Sequence, residues 1–415
     1  MNQAAPLRKH SGFRWLFAGQ TISVIGSQFS ALALPVLAVT VLGANEWQMG
    51  FLNAADSSAF LLFGLIAGAW VDRWLKRKVM IAADLIRGAA LLLLPVLWLM
   101  GLLQFWQLLV VGAIVSVATV FFDVGYQSFI PILVAKDQIG SANSVLETSG
   151  QISHIAGPGL VGLLLTILKA PWLILADAAS FFVSAFTLYR LRDDEIPKSV
   201  ESRRPLRTEI AEGLHFVWRQ PLIRAISFTT STSNLFSTIT FTLFPLLLLR
   251  DLGVSPASLG IVFSIASVGG LLGATSTAKL IKVVGEGTLI SLSAVVMGLA
   301  GLLIPIAAML PQMPALILIG ISQFITSFTT LSYNITQVTA RQRLCPPELL
   351  GRMNASIRFF VWGVMPIGAL LAGWLGSVLG IQITLWIAAT AALLSASFVV
   401  FSPLTRLQVM PDIAE

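Results

Sequence analysis

The chain is poor in charge, cysteine and histidine. Of its 415 residues only 11% are Asp, Glu, Lys or Arg, while 56% are hydrophobic. A soluble domain carries roughly 25% charged residues. Charge this sparse cannot cover a soluble globule of such length, so that class is excluded. One cysteine, Cys345, rules out an intramolecular disulfide and a cysteine-ligated metal cluster; it reads as filler near a helix end. Three histidines, His10, His154 and His215, lie far apart, and only His154 falls deep in an apolar run. They offer no metal set and no nucleophile–base constellation for an enzyme. The chain has no Gly-x-x-x-x-Gly-Lys-Ser/Thr loop, so it does not encode ATP drive. No cofactor and no metal are expected.

What remains is apolar and continuous, with a mean hydropathy of +0.87. A membrane barrel would show short alternating segments; these runs are long, so the spans are helices. Twelve fit, near 13–42, 47–71, 78–99, 105–133, 139–168, 171–191, 222–249, 256–281, 287–309, 314–339, 347–378 and 381–401. Several exceed the ~20 residues that cross a bilayer and must tilt or extend beyond it. Gly43, Gly101, Pro171, Gly253, Pro311, Pro314 and Gly380 mark their ends. Arg8, Lys9 and Arg14 precede an apolar run to Leu42. That run is longer than a signal-peptide core, so it reads as a retained first helix.

The net charge of +7 does not point to nucleic acid, because the basic residues collect on alternate loops. With the N-terminus inside, the outer loops hold only Lys169 and Arg250. Both termini are therefore expected in the cytoplasm. The one long polar segment, 192–221, contains TEIAEGLHFVWRQ, with Leu214, Phe216, Val217 and Trp218 at roughly helical spacing among charges. It predicts an amphipathic helix on the inner membrane face. It divides a six-helix bundle at 1–191 from a second at 222–415. The halves match weakly at an offset of about 210: Gly50 with Gly260, Pro95 with Pro305, Gln127 with Gln337, Gly157 with Gly368. Two parallel repeats facing a central site follow. The expected fold class is an all-α integral membrane protein of twelve transmembrane helices in two pseudo-symmetric bundles.

Residues 64–78 read GLIAGAWVDRWLKRK, a tight turn between two spans on the basic side of the bilayer. This stretch resembles the loop between the second and third helices of major facilitator superfamily transporters, matching at Gly68, Asp72, Arg73, Arg77 and Lys78. Leu75 stands where the family has a second Gly. The loop is then expected to open through helical character at Trp74–Lys76. SHIAGPGLVG at 153–162 is similar to the fifth-helix motif of superfamily antiporters at Gly157, Pro158 and Gly162. ADLIRG, IPILVAKDQIGSANS, AEGLHFVW and PPELLGRMNAS resemble the branch holding macrolide-efflux and siderophore-export proteins. The resemblance implies a transporter of the drug:proton antiporter type. Many of those carry an Arg midway along the fourth helix. Here that helix has Asp123 as its only charge, so the coupling role is not carried over.

Ionisable groups at membrane depth are costly and mark pathways or partners. Asp56, midway along the second span, reads either as a proton carrier raised by desolvation or as a neutral packing residue. Glu147, Gln151, His154 and Pro158 share one helix face. Glu147 and His154 are thus further proton-coupling candidates, with a hydrogen-bonded packing role as the alternative for His154. Arg87 and Asp123 both lie ~14 Å from the inner ends of their spans and are expected to pair. Asp84, one turn away, would anchor Arg73 or Arg77. Asp177, near an outer end, reads as structural. The repeat places Asp72 opposite Lys282 and Glu147 opposite Arg358 with the signs exchanged. Given the neighbours that the superfamily fold implies, Asp72 with Arg358 and Glu147 with Lys282 would form inner latches. The alternative is that these charges only obey topology. Substrate-cavity candidates are Gln28, Phe29, Asn234, Phe236, Gln323, Thr326, Thr330, Tyr333 and Trp362. Hydroxyls, amides and aromatics with little fixed charge suit a bulky amphiphile, although Ser and Thr also serve as small packing residues.

The sequence predicts a secondary active exporter of a small amphiphilic molecule in the bacterial inner or cytoplasmic membrane. Its partners are the substrate, protons and the lipid bilayer, not nucleic acid, and it acts as a monomer. The alternatives are a transporter of a lipid-like metabolite, inward or outward, and a non-transporting receptor or enzyme.

Overall fold

The computed structural model describes residues 7, 10–71, 74–135, 138–191, 206–346 and 349–411. Among them all regular structure is helical. Ten helical segments are long and apolar enough to cross a membrane. The chain divides into two compact units, Met1–Ala44 with Ala55–Glu201, and Asn45–Ala54 with Ser202–Glu415.

The first unit holds α1 (Ser11–Thr40), most of α2 (Glu46–Val71), α3 (Lys76–Leu99), α4 (Phe105–Leu133), α5 (Ile139–Leu164) and α6 (Ala170–Arg190). His10 starts α1, its Nδ1 accepting from the Phe13 N–H at 3.1 Å, which satisfies an otherwise orphaned donor. α1 packs on α5 and α6, and α3 packs on α4 and α6. Burial of Phe122, Phe129, Met80 and Leu188 between them forms the core. α2 and α5, each of 26 residues, are the two predicted spans outside the set of ten.

The second unit begins with α7 (Leu206–Arg219), the amphipathic helix, which packs on α8 (Pro221–Pro245) and α13 (Leu350–Trp362). A π-helical turn, Leu246–Asp251, continues α8. Then follow α9 (Pro256–Val284), α10 (Glu286–Gly301), α11 (Leu303–Ala307), α12 (Gln312–Arg343), α14 (Met365–Leu379), α15 (Ile381–Ser395) and α16 (Ser397–Val400). Here α8 packs on α14 and α15, and α10 packs on α12 and α15. The contact pattern of the first unit recurs, as the internal sequence match requires. Two predicted spans are broken. α10 stops at Gly301 and α13 at Trp362, four residues before Pro305 and Pro366. A proline has no N–H for that carbonyl and its ring crowds it. Gly253 and Gly380 turn the chain with φ of 63° and 80°, a region that disfavours other residues.

Glu286 fastens the end of this unit. Its carboxylate accepts from Arg343 Nη1 at 3.0 Å and from the Met410 N–H at 2.7 Å. It lies in the first turn of α10, where the helix dipole favours an anion. Glu286→Ala leaves a buried N–H unpaired and is expected to cost about 1–3 kcal/mol. Thermal unfolding in detergent should show the lowered midpoint, whereas an unchanged midpoint would remove this role.

Candidate transport site

The polar positions of the first unit converge on one cavity of about 170 Å³ between α1, α4 and α5. α1 brings Gln20 and Thr21, α4 brings Tyr126, and α5 brings Glu147, Ser149, Gln151 and His154. The helical spacing of Glu147, Gln151 and His154 puts all three at this wall. Thr21 Oγ1 and Ser149 Oγ are 2.8 Å apart, tying α1 to α5. Gln28 Nε2 and His154 Nδ1 are 3.1 Å apart. This contact depends on Gly157: a Cβ there would lie 2.8 Å from Gln28 Cβ. The antiporter-motif glycine thus gives Gln28 room to reach His154. Pro158 lies within α5, and Gly162 is buried. Glu147 and His154 are exposed, so their side chains remain open to a ligand.

A second cavity, of about 230 Å³, lies within the second unit between α8, α10, α12 and α15. Gln323 and Thr326 line it beside Ser233 and Ser237. The Thr326 hydroxyl is buried without a hydrogen-bond partner. Other candidates there are held by the protein. Tyr333 is buried, 2.8 Å from Thr230 Oγ1, Asn234 Nδ2 donates to the Val361 carbonyl at 3.1 Å, and Thr330 donates to Met297 Sδ at 3.3 Å. Arg358 stacks on Trp362, 4.6 Å from the ring centroid. Phe29 and Phe236 are half-buried on α1 and α8.

The charge assignments change most. Arg87 forms its ion pair with Asp84, one turn away on α3, rather than with Asp123. Asp123 is exposed, whereas Asp84 and Arg87 are buried. Equal depth from the span ends does not place two side chains on facing surfaces. Asp84 therefore serves Arg87. Asp177 is buried too, accepting from Ser180 Oγ at 3.2 Å, and does not reach water. Asp56 is exposed and accepts from Ser116 Oγ at 2.6 Å. Asp72 and Arg73 lie outside the described residues. Gly68 ends α2 with its neighbours, Arg77 is in the first turn of α3, Lys78 is exposed beside it, and Lys282 is exposed in the last turn of α9. Leu75 is extended, with φ −68° and ψ 113°, and α3 begins only at Lys76. The turn needs no left-handed residue at this position, so a leucine fits without added helix.

Sequence reasoning missed Tyr126 and Ser116. Tyr126 had a visible signal, a polar tip on the turn after Asp123. Ser116 had none, because a lone serine in an apolar run looks like a packing residue. Ser233 lies in the polar run SFTTSTSN at 227–234, which marks this stretch of α8.

A family model described as transmembrane secretion effector matches residues 1–413. The chain belongs to this family of major facilitator superfamily transporters. Family relatives include the multidrug efflux pump Tap of Mycolicibacterium fortuitum, 27% identical over 94% of this chain and 95% of that one. Macrolide efflux protein A of Streptococcus pyogenes is 24% identical over 89% and 90%. The enterobactin exporter EntS of Escherichia coli O127:H6 is 25% identical over 90% and 87%. Among solved structures, a bacterial homologue of the iron transporter ferroportin aligns with a TM-score of 0.75 at 16% identity, covering 95% of this chain and 98% of that one. The nucleoside transporter NupG aligns at 0.73 and 13%, covering 94% and 98%. This family member is a secondary transporter of a small molecule, not an enzyme, embedded as a multi-pass protein in the bacterial cell membrane.

Proposed function

We propose that the protein exports a bulky amphiphilic molecule by proton antiport. The observation that carries this is the convergence of Glu147, Gln151, His154 and Tyr126 on one cavity of the first unit. A carboxylate, an imidazole, an amide and a phenol recognise polar and aromatic parts of a molecule, and a cavity of about 170 Å³ takes in one portion of a bulky one. The names of the efflux relatives, for a macrolide and for several drugs, agree with such cargo. In this reading α2 and α5 also cross the bilayer, giving twelve spans with both termini cytoplasmic. Residues 1–191 and 222–415 then act as two bundles joined by the linker 192–221, and the protein works as a monomer.

Glu147→Gln keeps the shape of the cavity wall and removes its charge. Export of radiolabelled erythromycin from proteoliposomes is expected to fall about tenfold, the worth of one charge-assisted hydrogen bond. His154→Ala, which also frees Gln28, is expected to weaken binding of the same probe by a similar factor. Unchanged export by both variants would remove the cavity from the transport path.

A further inference from the structure

A pocket of about 470 Å³ lies in the second unit where α7 meets α8. Only Gln220 separates the two helices in sequence. α7 places Leu214, Val217 and Trp218 along one face at i, i+3 and i+4. Phe228 of α8 and Phe360 of α13 complete an apolar wall. The Trp218 and Phe228 rings meet edge to face, with 5.8 Å between centroids. Trp218 is nevertheless 60% exposed, so the protein leaves this wall uncovered. Exposed apolar surface rimmed by polar groups marks an interaction site. The polar lining is His215, Arg224 and Ser227. Ser227 is only 6% exposed, and its hydroxyl has no hydrogen-bond partner among the described residues.

The charge lining the pocket has one sign. Arg224 is exposed, and among the described residues its partner is the Trp218 carbonyl, which accepts from Nη1 at 3.2 Å. The other N–H groups of the guanidinium fork stay open to an anion. His215 and Arg219 are exposed on the neighbouring flank of α7. Arg224 is the sole charge of α8, and α13 carries Arg352 and Arg358 with no acid. α7 has two acids, Glu209 and Glu212, both before the lining residues in sequence. Polarity also changes along α8. Arg224 stands one turn from the start of the helix, and Ser227 follows ~5 Å farther along the axis, with Phe228 next. Cation, hydroxyl, then aromatic surface is the order of phosphate, ester and acyl chain in a lipid.

We propose that this pocket holds one anionic phospholipid, its phosphate on Arg224 and an acyl chain against Trp218, Phe228 and Phe360. The proposed topology makes it a lipid of the cytoplasmic leaflet; the site itself does not depend on export or on antiport. An amphipathic helix at the interface already buries its apolar face among acyl chains, and each basic residue near an anionic surface adds about 1 kcal/mol. A headgroup ammonium would meet Arg219 and Arg224 and no lining carboxylate. Like charges brought together select against that partner. The lipid favoured is therefore one whose phosphate carries an uncharged alcohol, as in phosphatidylglycerol. Its ester oxygens offer the partner that the Ser227 hydroxyl lacks. Bound there, the lipid joins the linker helix α7 to α8 and α13.

Photolabelling reads the site directly. The purified full-length protein in phosphatidylcholine nanodiscs is irradiated with a phosphatidylglycerol that carries a diazirine in its acyl chain, and the labelled peptides are mapped by mass spectrometry. Label should concentrate on residues 214–228 and on the peptide holding Phe360. A phosphatidylcholine with the same diazirine should label them about tenfold less, and Arg224→Glu should lower phosphatidylglycerol labelling by a similar factor. Arg224→Lys keeps a point charge for the phosphate and should retain most of the label. Leu214→Trp fills the pocket with the charges untouched; it should also lose the label, and it serves if Arg224→Glu does not fold. Equal labelling by the two lipids, or wild-type labelling of both Arg224→Glu and Leu214→Trp, would reduce the pocket to ordinary lipid-facing surface and overturn the proposal. Displacement of the label by erythromycin or by inorganic phosphate would overturn it too, assigning the pocket to cargo or to a free anion.

Discussion

Arg87→Ala is expected to be the most damaging single substitution in the first unit. It removes the buried cation that ion-pairs with Asp84 and empties the space between the Phe122 and Phe181 rings. Breaking a buried ion pair from one side costs about 3–5 kcal/mol. Lost cation–π contact and packing add to it. Thermal unfolding in detergent should show a large fall in midpoint. Asp84→Asn in the same chain removes the stranded carboxylate and should recover part of the loss, since partners in one network are not additive. Arg87→Lys is not conservative here: an ammonium has no flat face to lie between two rings. Equal stability of Arg87→Ala and wild type would mean that the guanidinium is not enclosed as described.

Gly273→Leu is expected to have the largest effect in the second unit. α9 lies so close to α12 that a Cβ on Gly273 would come within 3.0 Å of backbone atoms of Phe328, and one on Gly269 within 3.0 Å of those of Phe324. Backbone cannot rotate aside as a side chain can, so the helices must part. Overpacking of this kind costs typically 1–3 kcal/mol or more. Separation also strains the buried Thr277 to Ser332 hydrogen bond of 3.1 Å. Close approach over small residues is how membrane helices gain contact without a hydrophobic drive between them. Both the unfolding midpoint and erythromycin export should fall, with Gly273→Ala intermediate. A Leu variant as stable as the wild type would contradict the contact.

Much of the fold was legible because a bilayer makes the sequence simple. Apolar runs, basic loops and glycine or proline ends follow from the solvent alone, and each half repeats the other. The amphipathic helix before α8 was visible in the spacing of Leu214, Phe216, Val217 and Trp218. The helix breaks at Gly301 and Trp362 were less visible, because a proline inside a span does not always end it: Pro95 lies within the unbroken α3. The cavity wall at Glu147, Gln151 and His154 was legible from helical phase on one element. Pairing between elements was not. Depth along a span fixes one coordinate of a side chain, while the rotation of the helix fixes the other. Arg87 was therefore assigned to Asp123, and the burial of Asp177 beside α1 was missed. The reading of Leu75 fails for a different reason: helical character is expected at Trp74–Lys76, whereas the backbone at Leu75 is extended and the helix starts only at Lys76.

The central claim is export of an amphiphile by exchange against protons, and flux under an imposed pH gradient tests it most directly. In proteoliposomes holding the purified protein, erythromycin should move against its own concentration gradient in the direction opposite to proton flow. A protonophore should abolish that accumulation. Erythromycin moving only down its own gradient, at a rate indifferent to the pH difference, would contradict the account.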